Sequence, residues 1–161
     1  MQPVRPVNNS EELNQRISRL EDIEAIKRLK AKYWSSVDRQ EWDRLAECLT
    51  EDCSFETPMM APMQGRDFIV KVLKRAMRNV STAHQGHNPE IEIEGDAAAR
   101  GRWALNDVVR TPDAGMLKGY GHYEEQYLKQ NGFWRIHRSK LTYLFQVQEP
   151  GSTPSVQSPG N

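Results

Sequence analysis

The chain has 161 residues, with 22 Lys+Arg balanced by 22 Asp+Glu. That length is one domain's worth and can bury about 70% of its unfolded surface, enough for a core and an internal pocket. The zero net charge argues against nucleic acid or an anionic membrane as the main partner, and no apolar run approaches the roughly 20 residues of a membrane helix.

Residues 1–9 hold two prolines and no period, and read as a loose arm; residues 148–161, rich in Pro, Gly and Ser, read as a tail. The domain is therefore expected over 10–147. Ser10 with Glu11 and Glu12 is a helix start. Leu13, Ile17, Leu20, Ile23, Ile26, Leu29 and Tyr33 then recur at spacings of three and four, one apolar stripe on a long helix ending near Asp38, with a break near Glu21 and Asp22 left open. A second helix fits 40–49, with Trp42, Leu45, Cys48 and Leu49 on its buried side. Cys48 and Cys53 are the only cysteines. Two thiols with no secretory signal ahead of them make no disulfide framework, and are expected as small hydrophobes in a reduced, cytoplasmic protein.

Residues 53–57 read as a strand; Pro58, Pro62 and Gly65 mark a loop; 66–78 reads as a third helix with Ile69, Leu73, Ala76 and Met77 facing in. The period then changes to two. Strands are expected over 80–87, 90–94, 97–110, 116–130 and 133–147, interrupted at Asn88 and Pro89, at Gly95 and Asp96, over 112–115, and at Asn131 and Gly132. An Asn-Gly pair between apolar runs is a strong hairpin signal. Helices followed by an antiparallel meander give an α+β class, and long twisted strands beneath helices curl and enclose space.

Strand alternation singles out one carboxylate. From 97 to 109 the odd positions are Ala99, Gly101, Trp103, Leu105, Asp107 and Val109, while the even ones include Arg100, Arg102 and Asn106. Asp107 falls on the apolar, inward face, where a carboxylate is costly unless paired or protonated. Histidine can both take and give a proton near neutrality, but His84 and His87 point to opposite faces of a regular strand, and a lone strand histidine is more often structural. Asp38, at the C-terminal end of the long helix, opposes the helix dipole, a placement against local preference; equally, it can initiate the turn that follows. His84, His87, His122 and His137 match no metal-ligand spacing, and no phosphate loop or nucleophile elbow is present. No metal or cofactor is expected.

The stretches DIEAIKRLKAKYWSSVD (22–38) with Trp42 following, HQGHNPEIEI (84–93), ARGRWALND (99–107) and GHYEEQYLKQNGFWRIHRSKL (121–141) resemble the SnoaL-like branch of the nuclear transport factor 2 superfamily. The resemblance covers about 20–145. Within that branch it is nearest to the bile acid 7α-dehydratases, with scytalone dehydratase and hexachlorocyclohexane dehydrochlorinase more distant. It implies a cone in which helices and a strongly curved, mostly antiparallel sheet enclose an apolar pocket. It also implies catalysis by Asp38 and His84, completed by Tyr33 and Asp107. The sequence departs from the bile acid enzymes at Tyr143, where they carry an arginine, and in the loop 57–65, where Met59, Met60 and Met63 stand as an adaptable apolar wall. Met59, Met63, Trp103, Tyr143 and His87 are the expected substrate contacts. The expected activity is that of a cofactor-independent lyase on a hydrophobic, steroid-like or aromatic small molecule. An isomerase or cyclase using the same pocket, or a non-catalytic binding or dimerisation domain, are the alternatives. A homotrimer or homodimer through the outer sheet face is also implied.

Overall fold

The computed structural model describes residues 9–112 and 114–149. Residues 1–8 of the expected arm, and the expected tail beyond Glu149, lie outside the described residues.

Helix α1 (Ser10–Asp38) starts where the Asn9 side chain accepts the backbone N–H of Glu12 at 2.8 Å, with Glu11 and Glu12 in the positive first turn. It runs unbroken past Glu21 and Asp22. Only the second half of its apolar stripe is covered: Ile26, Leu29, Tyr33, Trp34 and Val37 are buried, whereas Leu13, Ile17 and Leu20 are exposed. The helix stops as Gln40 turns left-handed (φ 58°). The Gln40 amide then donates to the carbonyls of Met77 and Val80, at 3.2 and 3.1 Å, and fastens this end of α1 to the end of the third helix.

Helix α2 (Trp42–Ala46) is shorter than expected because the chain enters strand β1 (Leu49–Thr57) directly at Leu49. The expected loop around Pro62 is instead strand β2 (Met60–Gln64), antiparallel to β1. It lies at the sheet edge, where the missing proline N–H breaks no ladder. Helix α3 (Arg66–Ala76) buries Ile69 and Leu73, but Ala76 is exposed rather than inward.

Strand β3 (Ser81–Ile93) is continuous; the expected break at Asn88 and Pro89 is a bulge between His87 and Glu90, with Asn88 at φ 46°. Strands β4 (Ala98–Thr111), β5 (Gly115–Gln130) and β6 (Phe133–Glu149) complete a meander. Asn131 and Gly132 both have positive φ (53° and 81°), as the two-residue hairpin turn requires. The sheet order is β2-β1-β6-β5-β4-β3, antiparallel throughout except for β1 against β6. This mixed, curved, unclosed sheet beneath N-terminal helices is the expected α+β architecture. Its core includes Ile26, Leu45, Leu49, Ile69 and Ile136, all fully buried; each contributes about 1.5–3 kcal/mol. The β4 residues at odd positions from Ala99 to Asp107 point inward, as alternation requires.

Candidate active site

Asp38 is the last residue of α1, and His84 lies on β3, which packs against that helix. Their side chains meet: His84 Nδ1 is 2.6 Å from Asp38 Oδ1. The same carboxylate accepts the His84 backbone N–H at 3.0 Å and the Thr82 hydroxyl at 2.8 Å. Partial burial pushes the Asp38 carboxyl up, but the hydrogen bonds and charge of His84, with the Thr82 bond, outweigh it and hold the group below the ordinary aspartate value. An ionised carboxylate can only accept, so Nδ1 of a neutral His84 must be the donor, and Nε2 is left with a lone pair. Among the described residues Nε2 has no hydrogen-bond partner.

His84 forms part of the wall of a chamber of about 140 Å³ beneath the ends of α1 and α3, bounded by the β1–β2 hairpin and by the inner face of β4, β5 and β6. Its wall includes Val37, Phe55, Leu73, Val109, Leu117 and Leu141 together with Met59, Met60, Met63 and Met77. Tyr33 and Tyr143 also face it. Desolvation drives the pKa of both hydroxyls well up, helped at Tyr143 by the Asp107 carboxylate, so both remain donors at neutral pH. Asp38 does not face the chamber. It stands behind His84, in a shallow outer groove with Lys27, Ser35 and Arg39.

Asp107 is 4% exposed and opposes His84 in the β3–β4 register. Side chains so paired stand about 5 Å apart at Cβ on the same face. The Tyr143 hydroxyl donates to Asp107 Oδ2 at 2.5 Å. Room for this pair comes from Gly119, directly across from Asp107 on β5. A Cβ at Gly119 would lie 2.1 Å from Asp107 Oδ1 and 2.4 Å from Tyr143 Cε1. Gly119 is thus a spacing device.

The structure brings together Asp38, His84, Tyr33, Asp107, Met59, Met63 and Tyr143. Two expected contacts stay outside the chamber. His87 is exposed on the opposite face of β3, because the bulge begins only after it. Trp103 is buried beneath α1, edge-on to Trp34, with Nε1 donating to the Tyr127 hydroxyl at 2.8 Å.

A family model for the SnoaL-like domain matches residues 18–140. The chain belongs to the SnoaL-like domain family. Three solved structures illustrate the likeness. A Novosphingobium aromaticivorans protein assigned provisionally as a scytalone dehydratase is 22% identical, with a TM-score of 0.76 over 88% of this chain and 97% of its own. A hexachlorocyclohexane dehydrochlorinase is 17% identical, with a TM-score of 0.77 over 90% of this chain and 99% of its own. A Mycobacterium tuberculosis protein of unknown function is 28% identical, with a TM-score of 0.70 over 78% of this chain and 73% of its own. No helix among the described residues is long and apolar enough to cross a membrane.

Beneath the site of this SnoaL-like chain lies a charged network that sequence reasoning missed. Lys30 and Glu125 are fully buried, 2.5 Å apart. Glu125 also accepts the hydroxyls of Tyr127 at 2.5 Å and Ser139 at 2.8 Å. The Lys30 ammonium sits 4.5 Å from the centre of the Tyr33 ring and 3.7 Å from that of Tyr123. It thereby supports, from behind, two aromatic side chains that line the chamber. Glu125 occupies the inward register of β5, with Tyr123 and Tyr127. The alternation that exposes Asp107 would have found it.

Proposed function

We propose that this chain is a lyase that eliminates water, or a related leaving group, from a hydrophobic small molecule by acid–base chemistry of its own side chains. The observation that carries the reading is the 2.6 Å contact of Asp38 with His84 at the wall of an apolar chamber. Asp38 fixes the imidazole with Nε2 unprotonated toward the substrate and stabilises the imidazolium that forms. Nε2 takes a proton from a substrate carbon. The electron pair of that C–H bond becomes the new π bond, and the C–O bond on the adjacent carbon breaks. Tyr33, held protonated, donates a hydrogen bond to the departing oxygen. The proton lifted by His84 passes to the leaving hydroxyl, which departs as water and leaves the imidazole neutral. Removing the proton from a hydroxyl instead, with cleavage of a C–C bond and loss of a small carbonyl fragment, uses the same pair.

General acid–base catalysis supplies about 10²–10⁴-fold, so His84→Gln is expected to lower turnover by at least a hundredfold with the fold intact. Turnover within about tenfold of the parent overturns the assignment. Product analysis in deuterated water separates the reaction types. A lyase releases a second product; solvent deuterium returned to carbon with no second product would make the same pair an isomerase.

A further inference from the structure

The acid–base reading leaves the substrate open between fused-ring and single-ring molecules, and the chamber itself discriminates between them. We propose that its substrate is a neutral, single-ring molecule bearing a hydroxyl, held by that hydroxyl on Asp107 beside the base His84. The inference rests on the acid–base reading only for the role of His84. Size, charge and polar anchoring each support it.

The chamber's volume is about 140 Å³. An engineered apolar cavity of about 150 Å³ takes up benzene, so this space suits one ring. A fused four-ring skeleton is larger than this space.

Among the described residues, no lysine or arginine lines the chamber. Its acidic groups are Asp107 and Glu56, and Glu56 is paired with Arg138 at 2.7 Å. Lys30, the nearby buried cation, is bonded to Glu125 behind the aromatic rings. A carboxylate or phosphate bound here would face Asp107 with no counter-charge, and burying such an ion unpaired is prohibitive.

The anchor is the Asp107 carboxylate. Oδ2 is committed to the Tyr143 hydroxyl at 2.5 Å, whereas Oδ1 accepts nothing among the described residues. Asp107 lines the chamber, and its Oδ1 sits in the space that Gly119 leaves beside the strand. A free acceptor in an apolar chamber recognises a donor, and an alcohol or phenol O–H is the neutral donor of the right kind. Because Asp107 and His84 are paired across neighbouring strands, the hydroxyl anchors the ring within reach of Nε2.

Calorimetric titration of the full chain with four probes tests this: 4-methylphenol, toluene, 4-methylbenzoate and a four-ring hydroxysteroid. 4-Methylphenol is expected to bind about tenfold more tightly than toluene, as one added hydrogen bond allows. The benzoate and the steroid are expected not to bind. Asp107→Asn, which keeps the shape, should erase the preference for the phenol while leaving toluene affinity unchanged. Thermal unfolding shows whether that variant is folded, and the four-probe ranking of the unmutated chain needs no variant. Benzoate or steroid binding as tightly as the phenol, or no ring binding at all, overturns the proposal. His84→Gln distinguishes this failure from failure of the acid–base reading. Ring binding that survives alongside undiminished turnover sinks the latter alone; His84-dependent turnover of a steroid sinks the former alone.

Discussion

Replacing Lys30 with methionine removes the one cation compensating a carboxylate that water cannot reach. Both side chains of the Lys30–Glu125 pair are 0% exposed, and the ammonium lies 2.5 Å from the carboxylate. Burial lowers the lysine pKa, and the charge and hydrogen bond of Glu125 oppose that shift. In the variant Glu125 keeps only the Tyr127 and Ser139 hydroxyls. Breaking a fully buried pair on one side costs about 3–5 kcal/mol. At about 2–4 °C per kcal/mol for a domain of this size, Tm should fall by roughly 6–20 °C. Adding Glu125→Gln removes the stranded charge but keeps an acceptor for the two hydroxyls, so the double variant should regain at least half of the loss. Thermal and urea unfolding followed by circular dichroism measure both steps. A single variant within about 1 kcal/mol of the parent, or a double variant no better than the single, would refute the claim that the pair is ionised and dry.

The Asp38 carboxyl is held below its ordinary value, so its stabilising contribution is present above the unfolded-state value and lost as pH falls. The Tm deficit of Asp38→Asn should accordingly be full at neutral pH and shrink below about pH 4; a deficit that grows in acid contradicts this. Cys48 and Cys53 are buried, and desolvation raises both thiols to about 11. Mass spectrometry should find neither alkylated by iodoacetamide in native protein at neutral pH, and both alkylated in urea. Gly119→Ala thrusts a Cβ into the Asp107–Tyr143 pair. Overpacking there should cost about 1–3 kcal/mol of stability and a disproportionate share of activity. Gly101→Ala, which meets the Tyr127 ring at 3.1 Å away from the chamber, serves as its control.

Local periodicity revealed most of the architecture, because β4 and β5 alternate over most of their length and α1 keeps its spacing to Asp38. It also exposed Asp107, a carboxylate in an apolar register. It failed where tertiary context decides. Pro62 reads as a loop until the chain is known to lie at a sheet edge. Asn88 and Pro89 read as a break until β4 is there to pair across a bulge. Leu13, Ile17 and Leu20 continue the buried stripe in sequence yet remain exposed. Lys30 looks like a surface charge until Glu125, 95 positions later and itself legible from the alternation of β5, is brought against it. His84 gains meaning only through contact with Asp38, 46 residues earlier.

The orientation of the His84 imidazole can be read without a substrate. Long-range nitrogen–proton spectra of ¹⁵N-labelled protein in alkaline buffer distinguish the two neutral tautomers. The Asp38 contact predicts a proton on Nδ1 and a bare Nε2, reversed or mixed in Asp38→Asn. A neutral His84 carrying its proton on Nε2 in the unmutated chain would contradict the proposed base.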